Sequence, residues 1–349
     1  NRPFSRSLNL PVFFRTSSTT KIPAQFESIS IKTLVFILVS KHIVADKEWT
    51  EYIEKIPNDT QCKVIPIALD NTAFNLESDI KQMNFIRAYS FEKGYFKENL
   101  LVSVTHEIYR LALNENYREI SRGDETAIEL FISHAKDGKQ GITIATKLKD
   151  FIDNTHMNNF FDTTDIAPGY KFNEEIIGHI KESTLIAIHS DPYSSRYWCQ
   201  REIQCAKEND RPIIAVDCLE DYEDRRFPLA TNIPGVHLHL DENSDVKRKD
   251  LYRVIITSLV ETVRYYYAKQ LLVCYKESGW FPSNSIILAR PPEFTDLVKL
   301  KEFYSPTSDP LENKENFVYP EPPVYQDELT VFNKLGIKPF TPLNAPGTV

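Results

Sequence analysis

From Ala127 to Leu240, short apolar runs alternate with stretches of helical spacing, and that alternation restricts the fold more than any other feature of the chain. Ala127-Ile-Glu-Leu-Phe-Ile-Ser133 has the length and content of a strand, and the polar turn Lys136-Asp137-Gly138 ends it. Residues 142–152 then place Ile144, Leu148, Phe151 and Ile152 at helical spacing. Asn159-Phe160-Phe161 predicts a second strand. After a Pro168-Gly169 turn, residues 172–180 predict a helix with Phe172, Ile176, Ile177 and Ile180 on one face. Residues 185–188 predict a third strand and 197–207 a third helix. Strands at 212–216 and 236–240 follow, and a long amphipathic helix over about 246–276 closes the unit. Strands alternating with helices imply a parallel sheet covered on both faces. The expected class is therefore a doubly wound α/β fold.

The first 120 or so residues repeat part of this order. Leu10–Phe14 lies against Met157–Phe161, and Thr33-Leu34 with Ser40 against Thr184-Leu185 with Ser190. Trp49 matches Trp198 and Ile65–Asp70 matches Pro212–Asp217 at near-constant spacing, and the stretch 96–113 then resembles 251–271. This copy begins at its second strand, because nothing before Asn9 supplies an opening strand and helix. More than half of the 21 prolines fall after Gly279 or close to it. That tail reads as extended segments and turns, with a short strand at 286–288 and a short helix near 327–335. Trp280 and Phe281 are expected to pin it to the preceding domain. The expected division is 1–121, 122–278 and 279–349.

Composition excludes several functions. With only 10 glycines in 349 residues, no spacing gives G-x-G-x-x-G or G-x-x-x-x-G-K-[ST], so the standard dinucleotide and phosphate loops are absent. A net charge of −8 argues against direct nucleic-acid binding. The longest apolar runs fall far short of the ~20 residues needed to cross a bilayer. The five cysteines form no C-x-x-C pair, no secretory signal is visible, and a cytoplasmic location with reduced thiols is expected.

Four motifs carry chemistry. Phe131-Ile-Ser-His134, Phe160-Phe161-Asp162, Asp165-Ile-Ala-Pro-Gly169, and Ser190 followed by Trp198-Cys-Gln-Arg-Glu202 stand in the order of the boxes of a Toll/interleukin-1 receptor (TIR) domain. The stretch from about 125 to 240 resembles that family closely; the first copy is similar only in its later elements. The resemblance implies a flavodoxin-like doubly wound sheet in two tandem copies. It also implies one of two functions, because some TIR domains cleave NAD⁺ at the nicotinamide–ribose bond and others are adaptors without activity.

By this resemblance Glu202 is the catalytic residue. Positions i and i+4 share a helix face, so Trp198 and Glu202 are expected to look toward one cleft at the carboxyl edge of the strands. Nicotinamide in NAD⁺ is already a cationic leaving group and needs no general acid. The protein has to stabilise an oxocarbenium-like ribosyl transition state, which one carboxylate on the ribose hydroxyls can do. Trp198 is assigned to the cleft wall, and Asp162, Ser133, His134, Lys136 and Phe172 to its lining. Lys136 would meet the pyrophosphate as a point charge. NAD⁺ enters as substrate, with no cofactor and no metal: His237 and His239 share one side of a strand, but no Cys or acidic partner is spaced to complete a site. Outside the motif, Glu202 would read as solvated charge and Trp198 as core.

The first copy departs from the pattern where it matters. Ile53 stands four residues after Trp49, and Arg15 takes the place of Asp162, so this copy reads as catalytically dead and suited to docking or dimerisation. The segments 285–292, 319–323 and 339–342 resemble the connection between bacterial TIR domains and a nucleotide-sensing SLOG domain. The expected function is an NAD⁺ glycohydrolase or cyclase of prokaryotic antiphage immunity. It would act as a homo-oligomer whose cleft is completed across subunits by the loop 163–171, under a nucleotide-sensing domain or partner. The alternative is a non-enzymatic scaffold.

Overall fold

A computed structural model describes residues 8, 10–16, 22, 26–27, 30, 32–59, 61–110, 128–155, 158–160, 172–220, 232–299 and 315–345. The chain divides into two compact units, one within Asn9–Thr126 and one within Ala127–Val349.

In the smaller unit, β1 (Thr33–Val39) lies parallel to β2 (Cys62–Ala68), and α1 (Lys41–Ala45) and α2 (Lys47–Glu54) make the crossover. Asp46 caps α2 by accepting from the backbone N–H groups of Glu48 and Trp49, which satisfies two donors that the first helical turn leaves unpaired. Ile67 adds a parallel bridge to Ile86, and α3 (Phe96–Ile108) follows. Ile37, Val39, Ile53, Val64, Leu76 and Phe85 form the core. The expected alignment of Leu10–Phe14 with a strand does not hold. Residues 10–16 have no regular structure, and Val12, Phe13 and Phe14 are exposed. No strand among the described residues pairs with them, and an apolar run without a ladder partner gains nothing from being extended.

The larger unit carries a five-stranded, wholly parallel sheet in the order β4-β3-β5-β6-β7. Its strands are β3 (Glu129–His134), β4 (Asn158–Phe160), β5 (Thr184–His189), β6 (Ile213–Asp217) and β7 (Gly235–His237). Between them run α4 (Lys139–Asp153), α5 (Phe172–Ile180) and α6 (Tyr197–Glu208), and α7 (Arg248–Glu277) closes the unit. Helices on both faces explain why every residue of β5 is buried. On the α5/α6 side, Phe131, Leu185, Ala187 and Ile213 meet Ile176, Ile180, Cys199, Ile203 and Ala206. The strand order is that of flavodoxin-like sheets, in which the chain leaves β3 in one direction and returns to its other side at β5. Ligands in such sheets bind in the crevice beyond the carboxyl ends of those two strands.

Glycine is rare in this chain, yet two of the ten border that crevice. Gly138, at φ +91°, turns the chain from β3 into α4, a conformation L side chains avoid. At Gly141 an added Cβ would fall 2.8 Å from the Ser190 hydroxyl, so only glycine lets α4 pack this tightly on the end of β5.

The proline-rich segment is more regular than the sequence suggests. β8 (Ile286–Ile287), β9 (Glu315–Val318) and β10 (Ile337–Phe340) form a second parallel sheet in the order β10-β9-β8, with α8 (Gln326–Lys334) connecting β9 to β10. Pro339 fits because β10 is an edge strand, where one side of the backbone has no ladder to supply. Phe281 packs with Leu272 and Val318, and Trp280 stacks on Tyr275 with ring centroids 4.7 Å apart, so the segment is pinned to α7.

Candidate active site

The carboxyl end of β3 delivers Ser133 and His134, both buried, to the crevice. Across it runs α6, whose apolar positions Cys199, Ile203 and Ala206 face the sheet and carry Glu202 inward with them. Only 5% of Glu202 is exposed. Its carboxylate does not lack a partner: Ser133 Oγ donates to Glu202 Oε2 at 2.5 Å. The same hydroxyl oxygen lies 2.6 Å from the Tyr193 phenol. Tyr193 belongs to the 3-10 turn Tyr193–Ser195 that precedes α6, and its side chain is completely buried. Burial pushes the phenol well above its ordinary pKa, and Cys199 and Glu202 add to the rise, so it keeps its proton. A serine hydroxyl has one proton, and Ser133 gives it to the carboxylate. Tyr193 is therefore the donor to Ser133.

The loop after β3 is tied to the start of α6 by an ion pair between Asp137 and Arg196. Gln200 also donates to the Ser194 carbonyl. At the other end of α6, Lys207 is 1% exposed as a side chain and bonds Glu293 Oε2 at 2.5 Å. Arg290 pairs with the buried Asp296 at 2.7 Å, and Arg264 holds Glu261 while donating to the Ala289 carbonyl. These buried charges join α6, α7 and the segment after β8.

The family model described as TIR domain matches residues 130–251. Those residues form a TIR domain. Over 121 residues the chain is 32% identical to a protein of Brachypodium distachyon named probable 2′ cyclic ADP-D-ribose synthase BdTIR. The alignment covers 34% of this chain and 53% of that protein, so the chain spans about half the length of the curated relative it matches.

Within the TIR domain the expected residues divide into groups. Ser133 and Glu202 are in direct contact, and His134 is the buried residue that follows Ser133 and ends β3. Lys136 is exposed on the loop that follows. Trp198 lies in the first turn of α6, 40% exposed, edge-on to the more exposed Tyr197 with centroids 5.4 Å apart. Glu202, one turn later, is turned into the protein. Asp162, Gly169 and the loop 163–171 lie outside the described residues, and Phe172 opens α5 with its side chain outside them. Tyr193 was missed. The signal available for it was the rule that a buried tyrosine needs a partner for its hydroxyl, but the sequence does not reveal that this ring is buried.

The same edge holds a second cluster. Asp217, at the end of β6, lies 3.9 Å from His189 Nδ1 and 3.5 Å from His237 Nδ1. The fold thus supplies the acidic neighbour that the spacing around His237 does not show. Next to it, burial pushes the Cys218 thiol up to about 12, with Asp217, Asp191 and Glu220 adding to the effect, which makes it an unreactive packing group.

Proposed function

We propose that the TIR domain cleaves the nicotinamide–ribose bond of NAD⁺, with Glu202 as the catalytic carboxylate. The observation that carries this reading is the placement of Glu202: a buried carboxylate, fixed by a hydrogen bond from Ser133, at the switch point of a parallel sheet. It is supported by the similarity to a protein named for making a cyclic ADP-ribose. In the reaction, the C1′–N bond breaks and its electron pair passes to the pyridinium nitrogen, which releases neutral nicotinamide. The ribosyl group is left as an oxocarbenium ion. An anion held in a low-dielectric site stabilises that charge without having to reorganise. Capture by water, with loss of a proton, gives ADP-ribose; capture by a hydroxyl of the same molecule gives a cyclic product.

In this reading Trp198 and Tyr197 offer aromatic faces at the mouth, and Lys136 meets the pyrophosphate. By the family resemblance, Asp162, His134 and Phe172 are assigned to the cleft lining. Ser133 serves from behind, through the carboxylate. The smaller unit is read as a degenerate copy: β1, α2 and β2 repeat the order of β5, α6 and β6, and Ile53, at the position of Glu202, is a core residue. Its role would be docking or dimerisation. Assembly-dependent turnover and a part in antiphage defence, with a nucleotide-sensing partner, extend the proposal on the family resemblance.

The test is nicotinamide release from NAD⁺ by the purified chain, followed by chromatography over a range of protein concentrations. Glu202→Ala is expected to lower turnover about 10²–10³-fold or more. Activity retained in that variant refutes the mechanism. No release by the wild-type chain at any concentration leaves the scaffold reading.

A further inference from the structure

We propose that Tyr193 is a positioning residue that fixes the orientation of the Glu202 carboxylate through Ser133. The inference rests on the catalytic reading of Glu202 and adds to it a residue that never meets the substrate. Three separate elements contribute: the turn before α6, the end of β3, and α6 itself. Their polar atoms form a directed series, in which the Tyr193 phenol donates to Ser133 Oγ at 2.6 Å and Ser133 donates to Glu202 Oε2 at 2.5 Å.

Packing alone does not account for this series. Tyr193, Ser133 and Glu202 are 0%, 2% and 5% exposed, and burying three polar groups costs free energy that apolar side chains of the same shape would not. Phenylalanine would fill the Tyr193 site among Phe131, Ala135, Cys199 and Ile203 equally well. What the phenol adds is a direction. A serine hydroxyl rotates to suit its neighbours, and nothing in Ser133 itself fixes where its proton points. With a donor on a ring that cannot move, its proton has one place to go. The ring is held by the core on one side and edge-on by His189 on the other, with centroids 6.0 Å apart. Oε2 is thereby anchored, and the plane of the carboxylate is set relative to α6. Positioning of this kind acts on the transition state, since an anion a fraction of an ångström out of place loses much of its effect.

The test is a double-mutant cycle on nicotinamide release with Tyr193→Phe, Ser133→Ala and the pair together. Tyr193→Phe is expected to lower kcat about tenfold while KM stays within about twofold, the signature of an interaction used mainly in the transition state. Ser133→Ala should lower kcat at least as far. The double variant should be no slower than Ser133→Ala alone, because the phenol acts only through that hydroxyl. Thermal midpoints of all three report folding separately. An unchanged kcat in Tyr193→Phe, or losses that multiply in the double variant, overturns the proposal, since a phenol that matters only for packing would act independently of Ser133. If the wild-type chain releases no nicotinamide, the catalytic reading fails by itself, and crystal structures of wild type and Tyr193→Phe then decide the positioning. A carboxylate that keeps Oε2 on Ser133 in both structures overturns it, and one that swings away in the variant sustains it.

Discussion

Replacing Glu293 by Gln removes the counter-charge of a lysine that water does not reach. The Lys207 side chain is 1% exposed and that of Glu293 14%, with 2.5 Å between nitrogen and oxygen. Glu293 also lies 3.7 Å from Arg290, so the substitution takes charge from two buried cations at once. Breaking a buried pair from one side costs about 3–5 kcal/mol, because the remaining charge stays desolvated. For a unit of about 200 residues, each kcal/mol moves the midpoint by roughly 2–4 °C, so a fall of about 6–20 °C is expected at pH 7. The pH dependence carries the sharper test. Burial holds Lys207 below the ordinary lysine pKa, while Glu293 opposes that shift. Between the lowered value and the ordinary one, the unfolded chain binds more protons than the native one, so stability rises with pH across that window. Without Glu293 the window extends further down, and the variant's deficit should shrink as pH approaches ~10, near the ordinary lysine value. Calorimetric melts at pH 7 and pH 10 read both effects. Replacing Lys207 and Glu293 together with Met and Leu should cost less than Glu293→Gln, because no unpaired ammonium is left inside and Arg290 keeps Asp296. A drop of less than about 1 kcal/mol at pH 7, or a deficit that is the same at both pH values, would refute the reasoning.

Two further substitutions bear on the frame of the crevice. Gly141→Ala forces a Cβ to 2.8 Å from Ser190 Oγ and 3.2 Å from its Cβ, and should cost about 1–3 kcal/mol in thermal unfolding, partly recovered by adding Ser190→Ala. Asp137→Asn, by contrast, breaks an ion pair whose side chains are about half exposed, and should change stability by less than about 1 kcal/mol, with any effect vanishing in high salt.

The strands and helices from Glu129 to Glu277 were legible because central parallel strands are written as unbroken apolar runs and the helices as one-sided ones. β9 and β10 were not. Phe317-Val318 and Ile337 offer too few apolar residues beside Pro320 and Pro339, and only the ladders of β9 to β8 and of β10 to β9 make them strands. At the site, Glu202 was found through its motif and not through its surroundings. A glutamate on a polar stretch of helix gives no hint that it is buried, since burial follows from how α6 meets β3. The family resemblance puts Ser133 in the cleft lining, yet its proton goes to a neighbouring side chain. Nothing in the sequence marks Lys207 as buried, because its acidic partner lies 86 residues away.

The match to the TIR family stops at residue 251, four residues into a helix of 30. The remainder of α7 presents Leu272 to Phe281 and Val318, and the chain beyond it supplies the counter-ion of Lys207, five positions past Glu202. The cooperative unit is therefore longer than the segment that homology outlines. A fragment trimmed to the family boundary would lose nearly all of α7, with the buried Val254, Ile255, Leu259 and Val263 that it packs into the unit, and would leave Lys207 without its counter-ion. Inactivity of such a fragment would report on the cut and not on the chemistry of Glu202.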